Sequence, residues 1–478
     1  MSFQPPRQPG PRMMARPKGP SPAAPRAPRL RWGWLEWVIV SQTILAALLF
    51  VPGISAIRTP VRVSAYLVAP LAWAVILVRG RTRPGNRSFP ARPWLIFCTV
   101  WLLLEIFHPN TYSMTTGLAQ VALYVSILSP AFWVATSLES SRQIGRLMAI
   151  LFLCNALSTV LGIAQVYKPN IFLPPYIPAM HNAYNGEDLI YQTSDGRRLL
   201  RPCGLTDTPG GVFIAGQATA LLGLCWALRP MAVWKRLACL VLAFLGVAVI
   251  YYTQIRTAIV MLAICLVALT FMFFLQRNLR AAAMLSGGGV IMAVGSLLWV
   301  ARSAGNVIWE RFVGTLINKN AGQLFHQSRG AFVQGALEDT LFKYPLGYGL
   351  GWWGMIQATF GNRDRPSPIW VEVMIPGWIY DGGIPLLVGY MGALGVAFYS
   401  SVRIALTTRD RELAFWAAVI VALNLSSLAT TMSFITFLSP MGLQFWILAA
   451  ALHAADIRSR AMPPSPASPG AHLRARPR

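Results

Sequence analysis

The chain has 478 residues, 55% of them hydrophobic and 12% charged, and its formal net charge is +25. That balance excludes an ordinary soluble domain, in which about 25% of residues are charged. The basic excess does not point to nucleic acid, because most of the 41 Lys and Arg residues lie in two tails and in short loops between apolar runs. That is the distribution that orients a membrane protein.

Residues 1–33 are rich in Pro, Arg and Ala and have no apolar core, so a disordered basic cytoplasmic tail is expected there, not a signal peptide. Apolar runs follow near 34–51, 61–78, 93–108, 117–136, 147–165, 211–228, 237–252, 257–275, 281–300, 384–402, 413–432 and 435–453. Each is long enough, at about 1.5 Å per helical residue, to cross most of a hydrocarbon layer. An open sheet leaves backbone groups unpaired in lipid, so the expected fold is an all-α polytopic membrane protein of about 12 transmembrane helices.

Cations concentrate in the tails and in loops 79–92, 137–146, 229–236, 276–280 and 403–412. This bias puts both termini in the cytoplasm and the long loops 166–210 and 301–383 on the periplasmic face. Residues 34–453 then form one membrane domain, and 454–478 a second basic tail.

The run 237–275 tests the layout. As one helix it would be about 58 Å long, too long to span, so TQIRT at 253–257 must turn the chain and set Arg256 at the outer surface. In the last large loop, 327–341 reads as an amphipathic helix that ends before KYP and the turn LGYGLGWWG. Five cysteines fall inside apolar runs and only Cys203 lies in a loop; no His/Cys spacing suggests a metal.

Three outward arginines stand out: Arg201 in RPCGLTDTPGG, Arg256 in TQIRTA and Arg329 in QSRGAF. Any one of them alone reads as a side chain snorkelling to lipid headgroups. Three on different elements are better explained by a convergent anion site, since the guanidinium fork donates paired hydrogen bonds to a diphosphate and stays charged. LGYGLGWWG lacks the lysine and hydroxyl of a phosphate-cradling loop and reads instead as a tight turn that lets backbone pass close to another element or to substrate.

In VEVMIPGWIYDGG, Glu372 and Asp381 stand just before span ten, and Pro376 is expected to kink any helix there and free the Glu372 carbonyl. Glu372, between Val371 and Val373, is a candidate general base; a structural salt bridge to an arginine is the alternative. Glu105, His108, Asp207 and Asp381 are secondary candidates. His181 and His326 read as solvated loop residues.

The Arg-Pro-x-Gly outer loop, the arginine of the TQIRT turn, the segment SRGAFVQGALEDTLFKYPLGYGLG and the following YDGGIPLL occur in an order that resembles the O-antigen polymerase and O-antigen ligase superfamily. The likeness covers roughly 195–400. It implies an inverting glycosyltransferase of the bacterial inner membrane, acting at the periplasmic face on an undecaprenyl-diphosphate-linked oligosaccharide, without nucleotide sugar, metal or other cofactor. It implies that Arg201, Arg256 and Arg329 bind the diphosphate, and that a flippase and a chain-length regulator are partners.

Counting back from Gly383, the histidine usual in that family falls on Glu372. This departure favours a polymerase of exopolysaccharide, capsule or O-antigen repeat units over a ligase, and makes Glu372 the candidate base. A transporter or flippase of lipid-linked sugar is the competing class. It is disfavoured because no internal repeat is visible and the charges cluster at one face.

Overall fold

Helices form where the apolar runs fall. The computed structural model describes residues 32–51, 53–79, 89–138, 140–173, 190–192, 198–206, 208–304, 329–362, 369 and 371–461, and every expected span is helical over most of its length. The elements are α1 (Trp34–Leu48), α2 (Arg58–Val78), α3 (Arg92–Glu105), α4 (Met114–Leu128), α5 (Pro130–Ser137), α6 (Arg142–Tyr167) and a single turn α7 (Pro169–Phe172). An antiparallel pair, β1 (Ile190–Gln192) and β2 (Arg198–Leu200), sets Ile190 opposite Leu200. Then come α8 (Phe213–Ala227), α9 (Val233–Thr253), α10 (Arg256–Leu275) and α11 (Leu279–Ala304).

The helix α12 joins Ala331–Gly335, a π turn Ala336–Thr340 and Leu341–Lys343; α13 (Gly354–Phe360), α14 (Met374–Thr407), α15 (Arg411–Thr430) and α16 (Pro440–Ala461) complete the chain. By contacts the chain divides into residues 1–32, of which only Trp32 is described, and Gly33–Arg478, which holds every element above.

Among the described residues, eight helices are long and apolar enough to cross a membrane, while α1 and α8 are apolar but shorter. The protein is therefore a helical, polytopic membrane protein. Large apolar side chains such as Val78, Phe107, Val233, Val290 and Ile291 are exposed on the surface of the bundle, where lipid would cover them.

Helix association in lipid depends on close packing, and small residues supply it. On α8 and α9, Gly216 and Gly246 face each other so closely that a Cβ on Gly246 would lie 2.6 Å from the Gly216 carbonyl oxygen. The helices α14, α15 and α16 enclose an aromatic core: Trp378 stacks on Tyr390 at 4.7 Å, and Phe437 packs edge-on to Phe445 at 5.3 Å.

Several expectations are corrected. The run 237–275 does break at TQIRT, where Gln254 takes a left-handed conformation (φ 58°) between α9 and α10. The large loop is shorter than 301–383, because α11 runs to Ala304 and α14 begins at Met374. Pro376 does not kink a helix: it sits in the first turn of α14, where its missing N–H has no partner to lose, and Glu372 lies ahead of the helix.

The interruption falls instead at Gly382 and Gly383, whose non-helical backbone (Gly383 φ 60°, ψ −149°) divides α14. At the other end α16 continues into the expected tail, held by an Arg458 hydrogen bond to the Ala135 carbonyl and an Asp456–Arg460 ion pair at 2.9 Å. Residues 1–31 and 462–478, read as disordered tails, lie outside the described residues.

Candidate functional site

Arg201 leaves β2 and lies on the turn between α9 and α10. Its Nε donates to the carbonyl of Thr253, the last residue of α9, at 3.1 Å, and Arg256 opens α10 three residues further on. Gly210 makes this approach possible: it has φ +71°, and a Cβ there would lie 3.0 Å from Ile255 Cδ1 and 3.5 Å from an Arg201 terminal nitrogen.

The Arg201 loop is pinned from below by α6. The Gln165 side-chain oxygen accepts from the amides of Cys203 (3.0 Å) and Gly204 (2.9 Å), its amide nitrogen donates to the Gly204 carbonyl, and Ser158 Oγ accepts from Leu205 N at 3.0 Å. Gln165 was not legible as a site residue, because a glutamine near a helix end carries no spacing signal.

Arg329 and Glu372 form the second pair. Arg329 Nε lies 3.7 Å from Glu372 Oε2, and both side chains are roughly one-third exposed (35% and 39%). The structural ion pair is thus the one of the two expected Glu372 arrangements that is present. Glu372 is anchored through its neighbour Met374, whose amide donates to the Thr431 carbonyl at the end of α15, at 3.1 Å.

Just beyond that end, Phe434 meets Phe213 of α8 edge-to-face at 6.5 Å, and Phe213 follows the Gly210–Gly211 turn under Arg201. The α9–α10 turn that holds Arg201 and the start of α14 beside Glu372 are thereby linked through the start of α8 and the end of α15.

Asp381 belongs to a different environment. It is fully buried, and its carboxylate accepts from Tyr124 Oη (2.7 Å), Gln120 Nε2 (3.0 Å) and Trp353 Nε1 (2.8 Å). With three donors on two oxygens it ties α4, α14 and the glycine-rich turn together, and it is not presented toward the arginine pairs.

Glu105, the last residue of α3, is also buried; its Oε2 has no hydrogen-bond partner among the described residues, while its backbone carbonyl accepts from Thr111 Oγ1 at 2.9 Å. Asp207, the remaining secondary candidate, lies outside the described residues, as do His181 and His326. Partial burial holds the His108 pKa below its usual value, and its Nδ1 accepts from Asn110 N at 3.2 Å.

The glycine-rich segment behaves as the close-approach turn the sequence indicates. Tyr348 N donates to the Tyr380 carbonyl at 2.8 Å and Ile384 N to the Pro345 carbonyl at 2.8 Å, so the turn is laced onto the break in α14. Trp101 Nε1 closes the third side through the Gly382 carbonyl at 2.9 Å. Tyr344, Tyr348 and Trp352 recur every fourth residue through this segment, a regularity the sequence reading passed over.

No protein-family model matches the chain, and no curated protein matches it.

Proposed function

We propose that the chain is a membrane glycosyltransferase that polymerises oligosaccharide repeat units carried on undecaprenyl diphosphate. In this reading the eight apolar helices, the shorter α1 and α8, and α3 and α16 make twelve spans with both termini in the cytoplasm of a bacterial inner membrane. The arginine pairs then face the periplasm. The observation that carries the reading is that Arg201 bonds the turn from which Arg256 opens α10, while Arg329 pairs with Glu372 at the start of α14.

The proposed step is an inverting displacement. The acceptor hydroxyl oxygen forms a bond to the anomeric carbon of the donor while the bond from that carbon to the diphosphate oxygen breaks. The Glu372 carboxylate takes the hydroxyl proton, and the electron pair leaves with the lipid diphosphate. Arg201, Arg256 and Arg329 meet the charge growing on that leaving group, where prepositioned donors contribute most. A diphosphate bound here competes with Glu372 for Arg329.

The test is analysis of surface and lipid-linked glycan from cells lacking the protein, complemented with wild type, Arg256→Ala or Glu372→Gln. Single lipid-linked repeat units that accumulate and are cleared only by wild type support the polymerase. Long polymer accumulating on the lipid carrier assigns a ligase instead. Unchanged glycans, with both variants present at wild-type levels, overturn the transferase reading.

A further inference from the structure

A cavity of about 250 Å³ opens between the loop after α3 and the glycine-rich turn, lined by Pro109, Asn110, Thr111, Tyr344, Tyr348 and Trp352. Three of its six lining residues are aromatic, and the surface they and their neighbours present to the cavity is mostly polar. Tyr344 and Tyr348 meet edge-to-face at 4.9 Å, Tyr348 and Trp352 at 5.5 Å, and Trp352 is backed by Tyr112 at 4.9 Å.

The frame is fixed before any ligand arrives. Trp352 Nε1 donates to the Asn110 carbonyl at 2.5 Å and Tyr112 N to the Leu350 carbonyl at 3.0 Å. Gly349, with φ +111°, lies so close to Asn110 that a Cβ would sit 2.8 Å from its carbonyl carbon. The Tyr112 hydroxyl further ties this loop to the amide of Asn362 at 2.8 Å.

Within that frame several polar groups are unused. Among the described residues no hydrogen bond engages the Tyr344 or Tyr348 hydroxyl or the Asn110 carboxamide. The six lining residues include no carboxylate and no cation, although Lys343 Nζ lies over the Tyr344 ring at 5.4 Å beside the opening. Neutral hydroxyl and amide groups orient a ligand by hydrogen bonds, and the aromatic rims beside them pack against C–H groups. A molecule with apolar C–H faces and a rim of neutral hydroxyls matches both demands, and that is a sugar ring.

The location adds a length. Tyr344 directly follows α12, and Arg329, at the other end of that helix, pairs with Glu372; the helical rise separates the two by about 20 Å. That distance is several sugar units.

We propose that this cavity is a glycan subsite that holds a sugar of the substrate or growing polymer several units from the reacting end. The assignment of the sugar to a polymer rests on the glycosyltransferase reading above; the sugar site itself does not. A grip at this distance lets the enzyme retain a chain after transfer, so loss of the grip shortens the product.

The experiment uses the full-length protein in lipid nanodiscs. The probe is short oligosaccharides released by mild acid from the surface polysaccharide of the source cell, with affinity read by titration and contacts by saturation-transfer NMR. Tyr344→Ala and Tyr348→Ala are expected to weaken binding about tenfold, the scale of one lost ring contact, and Tyr348→Phe, which keeps the ring, about twofold to threefold. In cells the alanine variants shift the polymer to shorter modal length while repeat units are still joined.

Wild type that fails to bind, or alanine variants that bind and polymerise as wild type does, overturn the subsite. If Arg256→Ala and Glu372→Gln leave glycans unchanged while Tyr348→Ala still weakens oligosaccharide binding about tenfold, the transferase reading falls and the sugar site stands.

Discussion

Arg201 commits its Nε–H to the Thr253 carbonyl, so its position depends on the guanidinium fork and not on charge alone. Arg201→Lys keeps the charge and loses the tie, and is expected to lower transfer about tenfold, the equivalent of one hydrogen bond of roughly 1.4 kcal/mol. In the proposed transferase, Arg256→Ala would remove a donor to the leaving group and is expected to cost roughly 10²–10³ in rate. In the same proposal Glu372→Gln would remove the proton acceptor and should cost about 10²–10⁴. Single-turnover assays with lipid-linked repeat units measure all three, and rates within twofold of wild type would remove the residue concerned from the mechanism. Asp381 answers to a different assay. Asp381→Ala strands the Tyr124, Gln120 and Trp353 donors in the interior and is expected to destabilise the protein by about 3 kcal/mol or more, seen as a lowered midpoint of thermal unfolding in detergent. A midpoint equal to wild type would show that water or a rearranged partner satisfies those donors.

The helices were legible because their apolar runs exceed the length that chance and soluble cores supply, and the TQIRT break because no helix of the combined length fits a bilayer. The same logic read LGYGLGWWG correctly as a close-approach turn, but nothing in the sequence says which element it approaches. That partner is the break in α14, and the break itself was misplaced at Pro376. A proline signals a kink only when a residue four positions earlier is already helical; here α14 starts at Met374, and the two glycines that follow Asp381 carry the interruption. Gly383 adopts a backbone region open essentially to glycine alone, and a Cβ there would collide with the Pro345 carbonyl oxygen. Gly383→Ala is accordingly expected to abolish folded yield on detergent size-exclusion chromatography, whereas Gly395→Ala, with nothing within 4 Å of the added carbon, should match wild type. Equal yields would mean that α14 can straighten. The candidate site was legible only in part: the three arginines were expected to converge on one anion, but which element each would meet, 201 the α9–α10 turn and 329 the carboxylate of 372, is set by tertiary contacts between distant segments.

At the scale of the whole molecule, the charge distribution makes a claim about sidedness that surface labelling can check. Lys235, at the start of α9, and Thr359, in α13, are both exposed and lie at opposite faces in the proposed topology. Thr359→Cys should react with a membrane-impermeant maleimide in intact spheroplasts and Lys235→Cys only after permeabilisation; the reverse order would invert the topology and move the arginine pairs to the cytoplasm. The lacing of the glycine-rich turn onto α14 bears on kinetics as well as shape. The amides of Tyr348 and Gly349 end on the Tyr380 carbonyl, that of Ile384 on Pro345 and that of Tyr112 on Leu350, so three stretches far apart in sequence share one set of hydrogen bonds. Deuterium should enter all four amides at a common rate set by a single opening, so that a substitution which loosens one stretch speeds exchange in the other two.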